Sequence, residues 1–187
     1  MTKIRNRFAL SLALSGLVLL PACGETSGET ATDGATHSNG SQTMAATLGA
    51  ASDLSTINQA FVSSDLMGVF DGVGSYTLLA PRDEAFEALG DAGEQLMTEE
   101  QRPLLVGLLR DHMLPGYLRP EDILSAIESQ GGEVTVTTMG GSDVVFSSEG
   151  DTLTVTRDDG TSATFIGNAE AATNGVIIPI DGVLAPQ

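Results

Sequence analysis

Few side chains in this 187-residue chain are equipped for chemistry. It has one cysteine, Cys23, two histidines, His37 and His112, and no tryptophan. Beyond Lys3, Arg5 and Arg7 its only cations are Arg82, Arg102, Arg110, Arg119 and Arg157. No Gly-x-Ser-x-Gly segment and no His/Cys set with metal-ligand spacing occurs, so nucleophilic and metal-assisted hydrolysis lack their usual parts. Asp143, Asp151, Asp158 and Asp159 lie near one another in sequence, but their spacing fits no calcium-binding loop, and turn chemistry accounts for them. No pair of carboxylates stands out as acid and base. The reading is therefore a non-enzyme without cofactor or metal.

Cys23 is the exception. Lys3, Arg5 and Arg7 form a basic head, Phe8 to Leu20 an apolar run too short to span a bilayer, and Leu20-Pro21-Ala22-Cys23 closes it. Residues 1–22 thus read as an export signal. The ending resembles a bacterial lipobox, in which a small residue precedes a cysteine that receives a diacylglycerol. Cys23 is the expected lipid-attachment site, and the bacterial cell envelope, periplasmic or outer surface, the expected location.

Residues 23–43 follow as a Gly/Ser/Thr-rich tether. Residues 24–43 carry no large apolar side chain and cannot bury enough surface to offset ordering entropy, so the segment should stay disordered. His37 then reads as a solvated tether residue. From Met44 onward, residues 44–187 have the size of one domain. The formal net charge of −17 repels phosphate backbones, which makes nucleic acid a poor partner. With no cysteine after Cys23, the domain must stand on its core alone.

Within the domain, helices come first. Leu54, Ile57, Ala60 and Phe61 recur at helical spacing after Asp53, an expected N-cap. Tyr76–Ala80 reads as a strand covered on both faces and ended by Pro81, with Asp83 and Glu84 opening a helix at once. Thr98-Glu99-Glu100-Gln101 resembles a capping box ahead of an amphipathic helix bearing Leu104, Leu105, Leu108 and Leu109. Arg119-Pro120-Glu121-Asp122-Ile123 opens another helix, running to Gly131-Gly132. The last third alternates as strands around Val134, Val144–Phe146, Leu153–Val155 and Ala163–Ile166, with Asp159-Gly160 as a hairpin signal. Helices first and strands last point to an α+β fold.

Three segments of this pattern resemble the fasciclin domain family. Thr77, Ala80, Pro81, Asp83, Ala85 and Phe86 match its first signature, with Leu79 for the usual Phe and Arg82 for the usual Thr. His112, Pro115 and Gly116 match the second, with Asp111 in place of a tyrosine. Asn174, Gly175, Val176, Ile177, Ile180, Asp181, Val183, Leu184 and Pro186 match the third, with Ile178 for the usual histidine and a proline, Pro179, after it. That proline implies an edge position or a local break in pairing.

The resemblance implies a compact β-wedge or sandwich flanked by N-terminal helices, and an extracytoplasmic adhesion or interaction module. His112, Asp122, Ile123, Asn174 and Asp181 are the candidate structural or interaction residues. In animal members the segments around His112 and Asp122-Ile123 are associated with adhesion. Here the buried-histidine and helix-start roles are preferred. The expected partner is an envelope or extracellular protein or glycan. A carrier of small hydrophobic molecules, or a carboxylate-using enzyme, would be the alternative.

Overall fold

Tyr76–Pro81 forms strand β2, and from Thr77 onward every residue in it is buried. A computed structural model of the chain describes residues 36–38, 40–150 and 152–185, and it sets β2 inside a five-stranded sheet. The export signal, Cys23 and the first part of the tether lie outside the described residues. The sheet runs in the order β1 (Thr36–Ser38), β8 (Ala169–Ala172), β9 (Gly175–Ile180), β2 and β3 (Met113–Pro115). A second sheet is a plain antiparallel meander of β4 (Glu133–Thr137), β5 (Asp143–Glu149), β6 (Thr152–Arg157) and β7 (Ser162–Thr164). The fold is α+β, with two sheets.

Period-two alternation divides the interior into two cores. Leu78 and Ala80 of β2, with Ile177 of β9, join a core built with α1 (Met44–Ala50), α2 (Ser55–Ser63), α3 (Asp83–Glu87), α4 (Asp91–Leu96) and α5 (Arg102–Asp111). Leu79 of β2, with Val176, Ile178 and Ile180 of β9, joins a second core with α6 (Pro120–Gln130) and the inner face of the meander. Strands buried on both faces carry continuous apolar runs, which is how Tyr76–Ala80 read in sequence; there the strand runs one residue further, through Pro81. Ile178, at the signature's histidine position, is packed in this second core.

Pro179 sits in an internal strand, and the local break in pairing is the alternative that holds. β8 pairs with β9 only as far as Ile177, opposite Glu170. Beyond it Ile166 N–H donates to Pro179 C=O (3.0 Å) beside a single bridge of Phe165 with Ile180, and the reciprocal bond of the Ile166–Pro179 pair is the one the missing N–H leaves unmade.

Three local expectations are corrected. Asp53 does not cap α2; Leu54 occupies the N-cap position without a side-chain bond. The cap comes from α3, where Asp83 accepts from Ser55 N–H (3.3 Å), Ser55 Oγ (2.7 Å) and Thr56 N–H (2.8 Å). Burial pushes the Asp83 carboxyl up, but these hydrogen bonds outweigh it and hold it below its usual value. Thr98 does not form a capping box either: its hydroxyl donates back to Gln95 C=O (2.8 Å), and a 3-10 turn, Glu99–Gln101, precedes α5. Finally, the tether is ordered earlier than its composition suggests. Thr36–Ser38 adds in parallel to the edge of β8, with His37 opposite Glu170, and Thr43 caps α1 through Ala46 N–H. Adding a strand to a sheet edge uses main-chain bonds, so it needs no apolar side chain.

Gly175 is where β9 meets both β2 and α1. A Cβ there would collide with Tyr76 O and Met44 Sδ, a backbone atom and the start of α1. Gly175→Ala should lower stability by roughly 1–3 kcal/mol, read as an earlier urea midpoint. An unchanged midpoint would mean that the strand pair can separate without loss.

Candidate functional site

His112 ends α5 and is fully buried. Its Nδ1 lies 2.9 Å from Leu108 C=O, and its Nε2 accepts from Leu184 N–H at 3.0 Å. Those two partners define a neutral imidazole with the proton on Nδ1. Desolvation, set partly against the bond to Leu108 and the charge of Asp111 and joined by that of Arg157, pulls its pKa from 6.5 to about 4. Both ring nitrogens are thus engaged inside the protein, and the histidine joins α5 to the C-terminal segment.

Beside it lies a polar cluster that sequence reading passed over. Asp111, where the second signature has tyrosine, accepts from Ser142 Oγ (2.7 Å), Thr138 Oγ1 (3.2 Å) and Arg157 Nη1 (3.1 Å). Arg157 Nη1 also donates to Leu184 C=O at 2.9 Å. The pair is almost dry, with the Arg157 and Asp111 side chains only 8% and 15% exposed. Gly140 permits the close approach, since a Cβ there would run into the Asp111 carboxylate. The only sequence signal was the Asp-for-Tyr exchange at 111.

The other candidates are held in separate places. Asp122 stands at the third position of α6, accepts from Arg119 N–H (3.2 Å) and is bracketed by the Arg119 guanidinium (3.0 Å to each oxygen). That hydrogen-bonded guanidinium lowers its pKa, against a smaller opposing effect of burial. Ile123 is buried in the second core. Asn174 accepts from Met44 N–H (2.8 Å) and donates to Phe70 C=O (2.6 Å) and Gly72 C=O (3.2 Å), tying the start of α1 and the turn at residues 70–72 to the start of β9. Asp181 accepts from Thr164 N–H (2.6 Å) at the end of β7. Among the described residues these groups share no hydrogen-bond partner, so they form no common site. Cys23 lies outside the described residues.

Two open clefts flank the β1–β8 edge of the first sheet. One, of about 440 Å³, is lined by Thr36, Ser38, Tyr117, Arg119, Glu121 and Asp122, and brings the α6 start against the ordered end of the tether. Thr36 Oγ1 donates to Glu121 Oε2 there at 2.9 Å. The other, of about 430 Å³, lies between the α1–α2 junction and the end of β8 and β9, with Thr47, Asp53, Arg82 and Asn168 among its walls. Residues this far apart in sequence gave no sign of it, apart from Arg82 at the signature's threonine position.

A family model for the fasciclin domain matches residues 52–186. The chain belongs to the fasciclin domain family. This fasciclin domain is 34% identical over 138 residues to Protein sll1483 of Synechocystis sp., covering 71% of this chain and 67% of that protein. It is 32% identical over 134 residues to the transforming growth factor-beta-induced protein ig-h3 of Sus scrofa, covering 71% of this chain but only 18% of that much longer protein. Its fold is similar to a FAS1 domain pair from the insect cell adhesion molecule Fasciclin I, with a TM-score of 0.67, 16% identity, and coverage of 76% of this chain and 50% of that one. Fasciclin domains are adhesion and interaction modules, and as a family generally non-enzymatic.

Two stability predictions follow from the buried groups. Below pH 6.5 the unfolded chain takes up a proton on residue 112 that the folded chain refuses until about pH 4. Stability should therefore fall across that window, by roughly 3 kcal/mol through this residue. In His112→Gln, urea denaturation at pH 7.5 and 4.5 should show a lower starting stability and a correspondingly smaller acid-induced loss. An identical acid loss in the variant would remove the histidine from the account. Arg157→Met leaves Asp111 nearly buried without its cation and should cost about 3–5 kcal/mol, read from urea denaturation, whereas Arg119→Met, at an exposed pair, should leave the urea midpoint almost unchanged.

Proposed function

We propose that this fasciclin domain is the head of a lipid-anchored envelope protein that works by binding a macromolecular partner, protein or glycan. The observation that carries the reading is the family match across residues 52–186. It is supported by the employment of the chemically capable side chains: both nitrogens of His112 serve the fold, and Asp111 and Arg157 neutralise one another. A carrier of hydrophobic molecules would want an enclosed apolar cavity, whereas both clefts are open to solvent and have charged groups in their walls. The leader and Cys23 supply the export and the lipid in this reading, and the segment between Cys23 and Thr36 lets the head stand away from an anionic surface that its own charge would avoid.

Two measurements test it. Cells given a clickable fatty acid should yield a labelled band that Cys23→Ala abolishes; an unlabelled wild-type band would sink the anchor. A photoreactive group on the domain, activated on intact cells, should capture a reproducible envelope protein or polysaccharide. Capture of nothing by a folded, anchored protein would overturn the interaction reading.

A further inference from the structure

We propose that the outer edge of β8 is a strand-binding site, held in this structure by the chain's own tether, and that its external occupant is an extended segment of a partner protein carrying a lysine or arginine. This deepens the protein branch of the proposed function and rests on it. β8 pairs with β9 along one side and with β1 along the other. β1 is three residues long, Thr-His-Ser, half-buried at Thr36 and exposed at His37 and Ser38. It brings no apolar side chain, so backbone pairing holds it, together with the bond from Thr36 Oγ1 to Glu121 Oε2 (2.9 Å). Backbone groups that lose such a pairing at the surface regain bonds to water, so a strand of this kind releases readily. An edge that accepts a segment with no apolar side chain reads main chain, which is strand addition as a mode of peptide recognition.

The groove beside the edge narrows which side chains fit. Thr36 and Ser38 fall on one face by strand alternation, and both line the cleft of about 440 Å³ together with Ala171 and the start of α6. The cleft stays open with those two small side chains in it, so the tether underfills its own seat, and a longer side chain at either position has room. The carboxylates set the sign of that side chain. Glu121, about half exposed, accepts from Thr36; Asp122 lines the same wall, and Arg119 is shared between them, 3.1 Å from Glu121 and 3.0 Å from Asp122. Two carboxylates against one guanidinium, on a chain of formal net charge −17, attract a cation and repel an anion. A lysine or arginine in the place of Thr36 meets Glu121 as the hydroxyl does now, and fills the space that the hydroxyl leaves. The tether is thus a weak resident strand that a basic segment displaces.

The test uses the full chain and its His37→Pro/Ser38→Pro variant. Alternate residues of a strand face a given neighbour, so one of the two prolines removes a ladder N–H whichever set pairs with β8. The probes are peptides copying residues 34–40, with threonine, lysine or glutamate in the third place. Hydrogen exchange of the β8 amides that face β1 should be slow in the natural chain, fast in the variant, and slow again once the lysine peptide is added. That peptide should bind the variant roughly tenfold more tightly than the natural chain, where the tether competes, and more tightly than the glutamate peptide does. Adding Glu121→Gln to the variant should erase the preference for lysine while the threonine peptide still binds. Slow exchange persisting in the variant, no peptide restoring it, equal binding to natural chain and variant, or no preference for lysine over glutamate would overturn the proposal. Protection that returns in the variant only with rising protein concentration would give the edge to a second copy and overturn it likewise. Capture of a cell-surface partner undiminished by excess lysine peptide, with β8 unprotected by any peptide, would remove this edge while the interaction reading stands. Protection of β8 by the lysine peptide with no captured partner would keep the edge and remove the macromolecular reading.

Discussion

The parallel pairing of β2 with β9 is the constraint on which the rest of this structure depends. It joins residues 76–81 to residues 175–180 over six matched positions, so the two ends of the domain meet at its centre. Each strand is buried on both faces, and each face supplies one of the two cores. Helices from the first half of the chain cover one side, and α6 with the meander covers the other. The pair can close this tightly because Gly175 lets the Tyr76 carbonyl and the Met44 side chain approach where a Cβ would stand. Pairing across so long a separation must meet a large loop-closure entropy before it is rewarded. The amide of Asn174, bonded at once to Met44, Phe70 and Gly72, gathers the intervening segments at that junction.

Polar groups are used sparingly and mostly inward. His112 and Arg157 both reach Leu184, one through its N–H and the other through its C=O, so the C-terminal segment is held by a neutral imidazole and a neutralised guanidinium. Arg157 also pairs with Asp159 (3.6 Å), and among the described residues the ion pairs of the other arginines are more exposed: Arg82 with Asp53, Arg102 with Asp65 and Glu99, and Arg119 with Glu121 and Asp122. Such pairs contribute little each, and the excess of carboxylates stays on the surface. In this domain the side chains best suited to chemistry are occupied by the fold. Thr47 Oγ1 and Asn168 Oδ1, buried and without a partner among the described residues, belong to a hydroxyl and an amide.

The strand at Tyr76–Ala80 and the four-stranded meander were legible because apolar period and turn residues are local signals. The buried role of His112 was legible too, from the lack of any second ligand type. Other elements were not. α1 buries only Met44, Thr47 and Leu48, too short a pattern to register as a helix. β1 has no apolar signal at all and owes its order to an edge offered by β8. Asp53 looked like the cap of α2 by position, yet Asp83 took that role because the α3 start packs beside it.

By itself, then, the sequence determined the class of fold, the order of its elements, the family and the absence of familiar catalytic motifs. These depend on the identity and spacing of neighbouring residues. Which carboxylate caps which helix, the Asp111–Arg157 pair, and the cleft shared by Thr47, Arg82 and Asn168 were decided only by the tertiary structure. Each joins groups far apart in the chain, and burial, which sets whether a polar atom is satisfied or left wanting, exists only once the two cores have closed.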